Sequence, residues 1–206
     1  MREALRPVFA PLWWMEAVGG DVPDFDVALF TSVNGVRFGP DGLGRTAYCV
    51  GAATADAARA RGWQALVMGP DVDAMTTDLV AAAPEGRLAH LSGAASRGAL
   101  AETLRAAGLN AARHVCYRQV ALPMADDVRD LLRTEVTLVP LFSPDGVAHF
   151  ASEIGRAPRA HLALISPAAA QNLPPNAFAS VGIAVAPNAA AMGAALQKLH
   201  RALQSG

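Results

Sequence analysis

VALFTSVNGV at residues 27–36 and LVPLFSPDGV at residues 138–147 decide how this chain is read. In each, an apolar run predicted as a buried strand, ending at Phe30 or Phe142, leads into a short polar turn. The turns match residue for residue: Ser32-Val33-Asn34-Gly35-Val36 in one, Ser143-Pro144-Asp145-Gly146-Val147 in the other. A serine at such a junction accepts a backbone N–H and opens a helix, so both stretches read as strand, cap and helix. Two more pairs follow in the same order. CVGAATA at 49–55 matches LISPAAA at 164–170, and GPDVDAMTTDL at 69–79 matches APNAAAMGAAL at 186–196, with Met75 and Met192 each five residues after a proline. The chain is thus two copies of one βα design.

Working outward, short apolar runs alternate with helical patterns: DVALF, AYCV, ALVM, LAHL, HVCY, TLVPLF, LALI and GIAVA. Such runs are predicted as parallel strands buried on both faces, joined by crossover helices. Gly62 and Gly108 close two of the helices as left-handed caps. The copies differ in completeness. The first continues through LAHLSGAASRGALAETLRAAG to HVCY, whereas the second ends in a helix at 189–204 and draws on the N-terminal REALRPVFAPL. The second domain is therefore expected to be discontinuous, 1–15 plus 120–206, with 16–119 inserted. WWMEAV and YRQVALP would run side by side between them. Nothing answers, for the discontinuous domain, to the strand at 88–91 and the start of its helix. The sequence starts in mid-unit, through a misplaced start codon, a truncation or a lost strand, and one of three outcomes is expected at the gap: PVFAPL pairs directly with TLVPLF, the first choice, or a second chain donates a strand, or residues 1 to 15 are loosely held.

Composition narrows the function. Seventeen basic residues against eighteen acidic ones leave a formal net charge of −1, so no basic field for nucleic acid exists. Hydrophobic residues make up 52% and mean hydropathy is +0.26, which excludes a disordered chain, yet charges interrupt every apolar stretch before it reaches a membrane-spanning length. Cys49 and Cys116 sit in strand runs as buried free thiols. The five histidines form no metal-ligand spacing, and no signal peptide is seen. A cytoplasmic, metal-free protein follows.

Each strand-to-helix turn carries small polar residues: Thr31, Ser32 and Asn34; Gly51, Ala52 and Thr54; Ser92 and Gly93; Ser143 and Asp145; Ser166. In open parallel sheets these turns share one edge, where helix N-termini present unpaired amides to anions. Each alone is an ordinary cap; the set, arranged twice over, suits a cleft for a polyanion. No phosphate loop GxxxxGK[ST] and no GxSxG nucleophile turn occurs. Arg97, in the first turn of its helix, suits a carboxylate. Tyr117, at the domain junction, is either a buried structural tyrosine or a proton donor.

LFTSVNGVRF, AYCVGAATADAARARGW, LSGAASRGALAETLRAAG, VCYR and LVPLFSPDGVAHF together resemble the uroporphyrinogen-III synthase family in order and spacing, over about residues 3 to 200. The resemblance implies an α/β protein of two flavodoxin-like parallel-sheet domains on a two-stranded linker. The first domain would be discontinuous, lacking its N-terminal strand and most of its first helix in a sheet of order 2-1-3-4-5. It implies a cofactor-free monomer that closes linear hydroxymethylbilane, a tetrapyrrole with eight carboxylates, into uroporphyrinogen III. The last pyrrole ring is inverted and water is lost. Ser32 and Asn34 match the family's TSxNxV turn, Gly51 and Thr54 its VGxxTA turn, and Arg97 its GxxxR helix start. Ser143 and Pro144 match its TSP turn and Ser166 the start of IGxxTA, while Tyr117 matches the tyrosine proposed to assist departure of the substrate hydroxyl. Ala169 stands where that last motif has threonine, and the strand ending in TRP is absent, which would leave half the cleft malformed. A non-catalytic clamp for a carboxylated ligand is the alternative; a sugar or nucleotide enzyme of doubly wound fold is a third.

Overall fold

The computed structural model describes residues 5–19, 22–96 and 99–205. It divides into two compact units, 15–120 and 1–14 plus 121–206.

The unit 15–120 contains β2 (Val27–Phe30), α1 (Val33–Phe38), β3 (Thr46–Cys49), α2 (Ala52–Ala60), β4 (Gln64–Val67), α3 (Val72–Ala82), β5 (Leu88–Gly93), α4 (Leu100–Ala106) and β6 (Ala111–Ala121). The short strand β1 (Trp13–Ala17) lies at the edge of the sheet, in the order β1-β6-β5-β2-β3-β4. Val18 N–H donates to the Cys116 carbonyl and Leu122 N–H to that of Leu12, so β1 and β6 run antiparallel. All other neighbours are parallel.

Side-chain pattern explains the layering. Strand residues alternate between faces. Ala28, Phe30, Ala47, Cys49, Ala89 and Leu91 bury against Val36 of α1 and Ala55 and Ala58 of α2. Leu29 and Leu88 face Met75 and Leu79 of α3 and Leu100 and Leu104 of α4. Phe30 is fully buried and meets Trp63 edge-on at 5.4 Å; burying a side chain of that size stabilises by roughly 1.5–3 kcal/mol. Gly62 and Gly108 end their helices at φ 77° and 90°, conformations that cost glycine nothing.

Counting β2 to β6 as one to five, the strand order is 3-2-1-4-5, which corrects the flavodoxin-like arrangement expected for this unit. A right-handed crossover can step to either side of its parent strand, depending on which face its helix covers. Local sequence does not fix that face. Here α1 and α2 share one face and α3 and α4 the other, so the order reverses between β2 and β5.

The other unit holds α5 (Asp126–Thr134), β7 (Thr137–Leu141), α6 (Pro144–Ile154), β8 (Ala157–Leu164), α7 (Pro167–Ala170), β9 (Phe178–Ile183) and α8 (Ala189–Ser205). Its described strands form one parallel sheet, β7-β8-β9. Leu132, Val147, Phe150 and Ile154 pack on one face against Leu162 and Leu164, and Met192 packs on the other against Ala163. The last strand is Phe178–Ile183, earlier than GIAVA suggested. FASVGI alternates half-buried and exposed, whereas an unbroken apolar run is the mark of a strand buried on both sides.

PVFAPL does not pair with TLVPLF. Residues 5–11 form no regular element, Phe9 is 91% exposed, and among the described residues β7 bonds only to β8. The register supplies a reason. Ile165 N–H donates to the Leu141 carbonyl, which turns Thr137, Val139 and Leu141 toward β8 and leaves Leu138 and Pro140 on the open edge. Proline has no N–H, so that edge lacks a donor where a neighbour would need one.

Candidate functional site

In an open α/β sheet the crevice at the carboxyl ends, where strand order reverses, is the natural ligand position. Here it lies between β2 and β5. The chain leaves β2 through Thr31 and Ser32. Ser32 is extended (φ −158°, ψ 157°), and its hydroxyl accepts the Gly35 N–H at 3.3 Å, capping α1. A Cβ on Gly35 would collide with the Leu91 carbonyl of β5. That glycine therefore lets α1 lie directly on the strand across the crevice.

β5 and β6 form the other wall. Their register shifts after Ser92, which faces Val115, so that Gly93 faces Tyr117 and Cys116 is bulged out. The bulge turns Tyr117 to the α1 side, where its ring stacks on Phe38 at 5.3 Å. Gly93 makes this possible: a Cβ there would lie 2.7 Å from the tyrosine ring. The Tyr117 hydroxyl reaches Ser32 Oγ at 3.4 Å, long for an O–H to oxygen bond. Since Ser32 Oγ already accepts from Gly35, its own proton is available to the phenolic oxygen. With that direction of donation, Tyr117 has its own proton free for a third group.

On the opposite side of the sheet Thr31 Oγ1 is 3.2 Å from His90 Nε2. Arg113 donates to Ser92 Oγ at 3.0 Å and to the carbonyls of Gly93 and Ala94 at 2.7 and 3.1 Å, bracing the turn after β5. His90 is 3% exposed; burial, and then the nearby Arg113, lowers its pKa to about 4. The imidazole is neutral at physiological pH. Burial pushes the Cys49 thiol up to about 11 and raises that of Cys116 as well, so neither is an activated nucleophile.

Of the sequence-selected residues, Thr31, Ser32, Ser92, Gly93 and Tyr117 come together here. Ser92 is 2% exposed and held by Arg113; Gly93 serves as the seat of Tyr117. Gly51 (φ 72°) starts α2 without a side-chain cap, while Thr54 is buried inside that helix. Asn34 lies half-buried in the first turn of α1. Arg97 lies outside the described residues. In the other unit Ser143 caps α6 through Gly146 N–H at 3.0 Å with Pro144 at the first helical position, and Ser166 precedes α7 without a capping bond. Ala169 is fully buried. His90 and Arg113 were missed: LAHL and HVCY read as core strands, and the only signal was a basic residue in an otherwise apolar run beside the reversal point.

The model of the family described as uroporphyrinogen-III synthase HemD matches residues 3–194. This chain belongs to that family. Uroporphyrinogen-III synthases are enzymes of haem biosynthesis, so the family places this protein among lyases acting on tetrapyrroles, and the clamp without chemistry is not favoured. The synthase from Helicobacter pylori 26695 has a similar fold, with a TM-score of 0.65 at 15% identity over 91% of each chain. A mutant synthase from the extremely thermophilic bacterium Thermus thermophilus aligns over 95% of this chain and 88% of its own, at 20% identity and a TM-score of 0.47. No curated protein matches the chain in sequence. Among the described residues no helix is long and apolar enough to cross a membrane.

Proposed function

We propose that this synthase closes hydroxymethylbilane to uroporphyrinogen III, with inversion of the last ring, at the β2/β5 crevice of the unit 15–120. The observation that carries this reading is the joint placement of Tyr117 and Ser32 where the strand order reverses. The electron-rich terminal pyrrole expels its hydroxymethyl oxygen, and Tyr117 donates its proton so that water leaves. Ser32 donates to the phenolic oxygen as negative charge develops there. The substituted carbon of the last ring bonds to the freed methylene and becomes a spiro centre. Its bond to the original bridging methylene breaks, that methylene re-bonds to the free α-carbon of the same ring, and the proton lost there restores the Tyr117 hydroxyl. The protein's main task is to hold the chain of rings so that the inverted junction closes before the direct one.

The substrate's carboxylates suit the turns. The uncapped amides at the start of α2 and the hydroxyl of Thr31 offer donors in this unit, Arg97 is a carboxylate partner by family likeness, and Ser143 and Ser166 begin helices in the other. We read the two units as parallel-sheet α/β domains, 1–15 plus 120–206 and 16–119, with β1 and β6 as the linker. Among the described residues the sheet β7-β8-β9 is then a shorter copy of the other. The protein acts as a cytoplasmic monomer on a small molecule, without cofactor or nucleic acid.

The test is product analysis. The purified chain, given hydroxymethylbilane without metal or nucleotide, should yield the type III isomer; type I alone from folded protein would refute the reading.

A further inference from the structure

His90 Nε2 meets Thr31 Oγ1, yet its Nδ1 is buried and has no partner among the described residues. A neutral imidazole carries one donor and one acceptor. If the proton sat on Nδ1, a buried N–H would be orphaned; with the proton on Nε2, only a bare acceptor is left over. Orphaned buried N–H groups are the rarer and costlier of the two. The Nε2–H therefore donates to Thr31 Oγ1, and the threonine's own proton must point elsewhere. Thr31 is the first residue beyond β2 and half-buried, at the reversal crevice.

We infer that His90 is a positioning residue, whose Nε2–H fixes the Thr31 hydroxyl so that its proton is presented to a carboxylate of the substrate. The charged groups facing His90 are Arg113 from β6 and Glu102 from α4. Burial outweighs both, so the ring stays neutral and the tautomer is constant at the working pH. The inference rests on the proposed tetrapyrrole substrate for the identity of the carboxylate, but the tautomer does not depend on it.

Two measurements test it. Nitrogen-15 spectra of labelled histidine should show His90 protonated at Nε2 and bare at Nδ1; the reverse tautomer would overturn the inference whether or not the enzyme turns over bilane. In steady-state assays Thr31→Val should raise KM for hydroxymethylbilane about tenfold with little change in kcat, the size expected for losing one hydrogen bond to a charged group. His90→Leu should do the same, and His90→Gln, which keeps an N–H near the Nε2 position, should recover most of the loss. Leu at 90 should add nothing once Thr31 is Val. Additive losses, or no rescue by Gln in a variant with the parent melting temperature, would mean that His90 is a core residue only. A protein that shows the predicted tautomer but makes no type III product would instead sink the catalytic reading and leave the hydrogen-bond geometry standing.

Discussion

The turns after β2 and β7 are nearly superimposable in local terms and differ in what stands behind them. Ser32 and Ser143 have backbone angles of −158°, 157° and −156°, 152°, and each accepts the N–H of a glycine three residues on. Behind Gly35 lies the Leu91 carbonyl of β5, followed by Gly93 and Tyr117. Behind Gly146, among the described residues, no strand backbone comes close: the Trp13 side chain, at the start of β1, puts its Nε1 4.0 Å from the would-be Cβ, and its ring packs on His149 at 4.9 Å. A βα turn is written in its own few residues, whereas a site needs a second wall, supplied from roughly sixty to eighty residues away. The unit 15–120 has a reversal of strand order; the described sheet of the other has none.

The glycines give the widest separation between the two. Gly35→Ala forces α1 off β5 and should destabilise by about 3 kcal/mol or more, as overpacking against backbone does. Gly146→Ala presses on the Ser143 hydroxyl, 2.9 Å away, and only touches Trp13 Nε1 at 4.0 Å, with no backbone in the way; it also gains helix propensity, so its net effect should stay within about 1 kcal/mol. Denaturant unfolding of both variants checks this, and equal losses would break the comparison.

Buried His90 should make the unit 15–120 sensitive to acid. Its folded pKa, about 4 against 6.5, means that the unfolded chain binds the proton first. Stability is therefore full above about pH 6.5 and falls as pH drops toward 4, by about 3 kcal/mol at one pK unit per 1.4 kcal/mol. His90→Gln should flatten that slope. An unchanged slope would show that another group is responsible.

Tyr117→Phe should lower kcat about 10²-fold, the low end for a general acid, because the pyrrole already drives the hydroxyl out. KM should hardly move. No loss at all would reduce Tyr117 to a packing residue. The smallest effect is shared: Ser32→Ala and Ser143→Ala should each cost about 1 kcal/mol of stability as lost caps. Only the former should also slow turnover, which thermal melts paired with rate assays would show.

What the sequence made legible follows the same division. Eight apolar runs located eight strands, with GIAVA misplaced because edge strand β9 alternates. The Ser32 and Ser143 caps and the helix ends at Gly62 and Gly108 were readable because they are local. Strand order was not, since it depends on which face each helix covers. The bulge at Cys116 was equally hidden: HVCYR gives no sign that Tyr117 changes side, and so its contact with Ser32 was unforeseeable from spacing. PVFAPL failed as a strand because an apolar run predicts burial without naming a partner, and Pro140 had removed a donor from the edge it was to join.

The central claim, as proposed above, is that the chemistry resides at the β2/β5 crevice. Single-turnover conversion of hydroxymethylbilane by two double variants tests it directly. Ser32→Ala with Tyr117→Phe should lose at least about 10²-fold in rate at saturating substrate, while Ser143→Ala with Ser166→Ala should keep its rate within a few-fold and need more substrate. An equal fall in saturated rate for both, or a larger fall for the second pair, would contradict the account.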